Sequence, residues 1–373
     1  MKLIVAGGGT GGHLFPGIAV AEEFLSRSAD NEVLFVGSEK GIEARTVPKL
    51  GYRLELISAA GVKGKGTLSR LKAMAMLLYG YSQSRKILKE YKPDLVLGVG
   101  GYASIPMVLA SRGMEIPRFI HEQNALPGIS NKLLSRIAER VFISLEESAR
   151  FFPKGKTILT GNPLRKQILE GQVSTAEAPV SGEQGVACPP AFRLFIFGGS
   201  QGAHPLNIAL PKALELLSSR AAQLKVVHQT GQNDLEDVQK AYSAAGLTAD
   251  VRPFIDDMAK EYREADLIVC RAGATTIAEI TACGKACLFI PFPHAADDHQ
   301  RKNAEALLKK GACEMMLERE MSPENLASAI VRLMDDKKEL QRIGENARGL
   351  ARLDAVKVIV DEMLKGLQPC TEK

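Results

Sequence analysis

At 373 residues the chain exceeds one ordinary hydrophobic core and predicts two domains, each long enough to bury a substantial interior. Apolar residues at 45% and charged residues at 24% exclude a disordered or fibrous chain. The net charge of +5 is spread without the long basic runs of a nucleic-acid-binding arm, so no nucleic-acid partner is expected.

In chain order, short apolar runs alternate with longer helical patterns, the signature of parallel sheets flanked by helices. Strands are predicted at 3–6, 32–37, 54–58, 94–100, 118–122, 140–144 and 157–161. After Gly161-Asn162-Pro163 comes a stretch rich in Pro, Gly and Ala (174–191), read as an exposed loop or linker. The same grammar then restarts, with strands at 193–198, 224–229, near 249–252, 266–270 and 286–291. Met1-Lys2 leads straight into a strand, without an apolar signal core. No segment approaches the roughly 18 uncharged apolar residues of a spanning helix, so membrane contact is expected to be peripheral. The six cysteines form no CxxC pair, which predicts free thiols in a reducing cytoplasm.

Two strands run into glycine turns that superpose when the first half is slid forward by 191 residues. Gly7, Gly8, Gly11 and His13 then fall on Gly198, Gly199, Gly202 and His204. Such turns let backbone N–H groups approach an anion at the positive end of a helix. The duplication predicts an α/β chain of two Rossmann-like domains with parallel sheets, facing across a cleft. Gly7 to Gly12 also satisfies G-x-G-x-x-G, which keeps a nicotinamide-dependent oxidoreductase open, with Glu39 as the acid for the ribose.

Seven segments then occur in order: GGGTGGHLFP (7–16), GVGGY (98–102), HEQN (121–124), GNPLR (161–165), GGSQGA (198–203), RAGATTIAE (271–279) and HAADDHQ (294–300). Together they resemble the bacterial MurG family of GT-B glycosyltransferases, which add N-acetylglucosamine to undecaprenyl-diphospho-muramoyl-pentapeptide in peptidoglycan synthesis. The resemblance implies an acceptor domain at 1–163, a domain binding UDP-N-acetylglucosamine at 164–351, and a final helix, about 352–373, packing back on the first domain. It further implies that Glu279 binds the ribose hydroxyls within the run that includes Ala274, Thr275 and Thr276. The backbone of Ile255 would read the uracil edge, and Ser200 with Arg165 would hold the diphosphate. Asn124 and Gln300 would contact the donor, while Thr10, Gly11 and Gly12 would close over donor and acceptor. Gly100, Gly101 and Tyr102 would hold the acceptor diphosphate.

Inverting glycosyl transfer needs a base for the acceptor hydroxyl and charge stabilisation for the departing nucleoside diphosphate. His13, on the first turn of a helix, is the first candidate base, with a packing or capping role as the alternative. Glu122 is the second candidate base, or a partner that orients the site. No Asp-x-Asp occurs, so no metal and no cofactor are expected, although the loop from His294 to His299 carries residue types able to ligate a divalent ion. Between 68 and 81, Leu68, Leu71, Met74, Leu78 and Tyr81 recur at helical spacing, with Arg70 and Lys72 among them and Lys63 and Lys65 just before. This pattern fits either an interfacial helix on an anionic membrane surface or an ordinary core helix. The resemblance favours the membrane, at the cytoplasmic face of the bacterial inner membrane. A UDP-sugar epimerase or hydrolase on the same scaffold and a non-catalytic sugar-nucleotide-binding module remain open alternatives.

Overall fold

A computed structural model of the chain describes residues 1–59, 67–173, 191–199 and 201–367, with side chains at all of these except 67–73 and 171–173. The 174–190 part of the expected linker, Ser200, Lys63, Lys65, Cys188 and Cys370 lie outside the described residues. The chain forms two compact units, Met1–Arg165 with Arg352–Lys373, and Lys166–Ala351.

The first unit runs β1 (Lys2–Gly7), α1 (Gly11–Ser26), β2 (Glu32–Ser38), α2 (Glu43–Lys49), β3 (Arg53–Ile57), α3 (Thr67–Tyr91), β4 (Leu95–Gly100), α4 (Ser104–Arg112), β5 (Arg118–Glu122), α5 (Ile129–Leu134), β6 (Arg140–Ile143) and β7 (Thr157–Leu159). Its sheet has the order β3-β2-β1-β4-β5-β6-β7, and every pairing is parallel. β1 is apolar from Leu3 to Ala6 because helices cover both faces. Leu3 and Val5 enter one core with Phe24 of α1, Phe119 and Phe142. Ile4 and Ala6 point the other way, to Leu88 of α3, Met107 of α4 and Ile120.

The second unit runs α6 (Lys166–Val173), β8 (Phe192–Phe197), α7 (His204–Glu215), β9 (Leu224–Gln229), α8 (Leu235–Ala244), β10 (Ala249–Arg252), α9 (Met258–Glu264), β11 (Leu267–Cys270), α10 (Ala274–Cys283), β12 (Ala286–Phe289), α11 (His299–Leu308), β13 (Glu314–Met315), α12 (Pro323–Asp335) and α13 (Lys337–Gly349). Its parallel sheet has the order β10-β9-β8-β11-β12-β13. Cys270, Cys283, Cys287 and Cys313 are buried free thiols.

The last helix, α14 (Ala355–Lys365), belongs to the first unit: Ile359, Val360 and Met363 complete the core that Leu3 and Val5 begin. In each sheet the strand order reverses beside the strand that feeds the glycine turn, at β1/β4 and at β8/β11. Ligands of open parallel sheets bind at such switch points, so both turns are placed for binding.

Candidate active site

The two glycine turns share the spacing of three glycines and a histidine but differ in conformation. Gly7, Gly8 and Gly9 all have positive φ and α1 starts at Gly11, whereas in the second turn Gly199 and Gly202 have positive φ and α7 starts at His204. The first turn holds an anion of its own. The Glu43 carboxylate, 1% exposed, accepts from the Gly9 amide at 2.7 Å, the Ser38 amide at 2.8 Å and the Ser38 hydroxyl at 3.0 Å. A side chain at Gly8 would meet this carboxylate at 2.4 Å, so the glycine admits it. The pyrophosphate of a dinucleotide would need that place, and Glu39 is exposed beyond the end of β2, so the oxidoreductase reading is disfavoured.

The corresponding acid of the second unit, Asp234 just before α8, turns elsewhere. It accepts from Asn207 Nδ2 at 2.7 Å and pairs with His204 Nδ1 at 2.9 Å. His204 is thereby tied to a carboxylate at the start of α7. Behind it, His228 sits between Asn207 Oδ1 (3.1 Å) and Tyr242 (3.0 Å), and burial lowers its pKa to about 3. In the second turn the Gly202 N–H donates to the Gly199 carbonyl at 3.0 Å, which also accepts from Gln229 Nε2.

His13 has a different partner. Its Nδ1 lies 2.9 Å from Gln123 Oε1, and the Gln123 amide nitrogen donates to the Val99 carbonyl (2.8 Å) and to His121 Nδ1 (3.0 Å). His121 is buried, which lowers its pKa to about 4 and keeps it neutral. The GVGGY segment lies directly against His13. A Cβ at Gly100 would fall 2.7 Å from His13 Nδ1, and the Gly8 amide donates to the Gly100 carbonyl at 3.2 Å. Gly101 follows in the same turn, and Tyr102 is exposed beside it. Thr10 and Gly12 are exposed, with Gly11 half-buried between them. The first unit therefore gathers Thr10, Gly11, Gly12, His13, Gly100 and Gly101 at one edge of its sheet.

Glu122 is fully engaged as an acceptor. Its Oε1 takes the Asn124 amide (2.9 Å) and Asn124 Nδ2 (3.2 Å), and its Oε2 takes the Gly128 amide (3.3 Å) and Asn131 Nδ2 (2.9 Å). With four donors on a buried carboxylate, Glu122 ties Asn124, Gly128 and Asn131 into one loop. Asn124 is held in that loop, and Arg165 stacks 5.9 Å above the Phe15 ring of α1.

In the second unit, Glu279 lies in α10, 2% exposed, and accepts from the Tyr262 hydroxyl at 3.0 Å, so it is not a solvated helix carboxylate. Ala274, Thr275 and Thr276 form the first turn of α10, which has no side-chain cap and no acidic residue. The Thr275 hydroxyl is buried without a protein hydrogen-bond partner, which leaves it for a water or a ligand to complete. The Ile255 amide donates to Gln229 Oε1 at 2.8 Å, so a base edge would meet its carbonyl side. Gln300 Oε1 accepts from the Phe292 amide at 3.0 Å, which leaves its amide nitrogen as the donor end. Among the described residues no three His, Cys, Asp or Glu side chains converge as a ligand set. In the 294–300 loop His299 Nδ1 bonds the Ala296 carbonyl at 2.7 Å, and Asp298 pairs with Arg301 at 3.8 Å.

α3 divides along its length. Leu88 and Tyr91 enter the core, while Met74, Leu78 and Tyr79 are exposed, Leu78 at 64%. Leu68, Leu71 and Lys72 lie on the same helix, where side chains are outside the described residues. Ile129 and Leu133 of α5 add exposure of 69% and 55%. Among the described residues no helix is long and apolar enough to cross a membrane. Sequence reasoning missed Gln123, Glu43, Ile129 and Leu133. Gln123 stands between Glu122 and Asn124, whose chemistry is more conspicuous, and Glu43 is 34 residues from the amide it caps.

Residues 3–143 match the glycosyltransferase family 28 N-terminal domain, and 193–360 match the family 28 C-terminal domain. The chain is 70% identical, over 100% of both chains, to the UDP-N-acetylglucosamine–N-acetylmuramyl-(pentapeptide) pyrophosphoryl-undecaprenol N-acetylglucosamine transferase of Trichlorobacter lovleyi. It is 64% identical, over 98% of both chains, to the Geobacter sulfurreducens protein of that name. The crystal structure of Acinetobacter baumannii MurG superposes with a TM-score of 0.78 at 34% identity, covering 98% of this chain and 99% of that one. Two parallel-sheet units with glycine turns at their switch points, each matched by its own family domain, are the GT-B architecture, and the chain belongs to glycosyltransferase family 28, among the MurG transferases.

Proposed function

We propose that this glycosyltransferase moves N-acetylglucosamine from UDP-N-acetylglucosamine to the muramoyl C4 hydroxyl of undecaprenyl-diphospho-MurNAc-pentapeptide, lipid I to lipid II, with inversion and without a metal. The full-length match to relatives bearing that name carries the choice of substrates. The asymmetry of the two turns supports the division of labour. Glu43 fills the first turn with an internal anion, so the donor diphosphate is assigned to the second unit. There the α10 N-terminus, the unpartnered Thr275 hydroxyl and the Ser200 loop receive it, with Arg165 as the cation. Glu279 would accept from the ribose, the Ile255 backbone would meet the uracil, and Asn124 and Gln300 would contact the donor.

The acceptor goes to the first unit, its diphosphate on Gly100, Gly101 and Tyr102 and its reacting end beneath Thr10, Gly11 and Gly12. His13 takes the proton of the C4 hydroxyl as that oxygen attacks the anomeric carbon. The bond from that carbon to the diphosphate oxygen breaks, and its electron pair leaves with UDP. Met74, Leu78, Ile129 and Leu133, with Lys132 and Arg136 nearby in sequence, would rest on anionic lipid, and their exposure supports a peripheral enzyme at the cytoplasmic face of the inner membrane.

The test follows UDP release from UDP-N-acetylglucosamine with and without a lipid-linked muramoyl acceptor. Release should require the acceptor, and release indifferent to it would sink the transferase reading in favour of hydrolysis. His13→Ala should lower turnover by about 10²–10⁴ with donor binding nearly intact; unchanged turnover would remove His13 as the base.

A further inference from the structure

The ring of His13 can act as a base only through a nitrogen that carries a lone pair, and its neighbours settle which one. The Gln123 side-chain nitrogen lies 2.8 Å from the Val99 carbonyl, a group that can only accept. That end of the amide is therefore NH₂, and the opposite end, 2.9 Å from His13 Nδ1, is oxygen. An oxygen there needs a proton from the ring. The second NH₂ hydrogen goes to His121 Nδ1 at 3.0 Å, which puts the His121 proton on Nε2, within 3.3 Å of the Ser144 hydroxyl and 3.4 Å of the Gly161 carbonyl.

We propose that Gln123 is a positioning residue that holds His13 in the tautomer protonated at Nδ1, so that Nε2 presents the lone pair to the acceptor hydroxyl. The inference rests on the reading of His13 as the base. It gives the HEQN segment a division of tasks: His121 orients Gln123, Gln123 orients His13, and Glu122 folds the loop that follows. The charged and titratable groups around His13 agree with it. His121 stays neutral, the Glu122 carboxylate points to Asn124, Gly128 and Asn131, Glu43 faces Gly9 and Ser38, and Arg165 lies over Phe15. A glutamine at this place, rather than the aspartate that holds His204, fixes the ring without adding a negative charge beside it.

The experiment labels histidine with ¹⁵N in the full-length protein, assigns His13 by difference from His13→Gln, and reads its two ring nitrogens at neutral pH. The expected spectrum has the proton on Nδ1; a proton on Nε2 overturns the proposal, and this measurement needs no Gln123 variant to fold. Gln123→Met should shift the ring toward the other tautomer and lower kcat by roughly tenfold to a hundredfold, with KM for UDP-N-acetylglucosamine changed by less than about twofold. Gln123→Glu should keep the Nδ1 proton but move the acid limb of the kcat profile to higher pH, because a carboxylate favours the imidazolium. Wild-type kcat in Gln123→Met, or an unmoved acid limb in Gln123→Glu, would also overturn it. Full turnover in His13→Ala would overturn the base reading itself while leaving the tautomer result standing, so the two failures are separable.

Discussion

His13 and His204 occupy matching places in the two turns, and their partners separate them. A carboxylate holds His204, whereas an amide holds His13 beside the Gly100 backbone. The two acids that make this difference, Glu43 and Asp234, precede or open equivalent helices. One serves the turn and the other serves the histidine. Glu43→Gln should leave the Gly9 and Ser38 donors with a neutral, weaker partner and cost roughly 2–3 kcal/mol. The check is the urea midpoint, and an unaltered midpoint would show that the turn does not depend on this charge. The glycine spacing was legible in the sequence because only glycine tolerates the φ values involved. The carboxylate between those glycines was not, because an acid at the start of a short helix looks like ordinary helix-dipole compensation.

The central strands read easily because both their faces are covered, and continuous apolar runs have few other meanings. β13, two residues long and containing a charge, offered no such run. α3 shows the limit of periodicity more sharply. An apolar stripe at helical spacing is the same signal whether it faces a core or a lipid surface, and this helix does one at its C-terminal end and leaves the other stripe exposed. α5, with six residues, is too short for a period to be read, yet Ile129 and Leu133 on it are both exposed. Leu78→Glu with Ile129→Glu should reduce association with vesicles containing anionic lipid by roughly tenfold or more, since both side chains leave apolar contact and add repulsion. The same substitutions should leave thermal stability nearly unchanged because neither residue is in a core. An unaltered vesicle partition would argue against this face as the membrane contact.

Each unit buries one histidine in neutral form, and the whole molecule inherits an acid limit from them. For His121 the pKa falls from 6.5 to about 4, and for His228 from 6.5 to about 3, both through burial. The unfolded chain binds these protons at higher pH than the native state does. Stability is therefore full above about pH 6.5 and is lost progressively as pH falls toward 4 and then 3, by a few kcal/mol per histidine. Urea unfolding followed at pH 7 and pH 5 should show the lower midpoint at pH 5, and equal midpoints would contradict the buried neutral state of both rings. The return of α14 to the first unit has a consequence of another kind. Translation proceeds from the amino end, so Ile359, Val360 and Met363 leave the ribosome after every residue of the second unit. The nascent chain can close its later-made unit while its earlier-made one still waits for its final side chains.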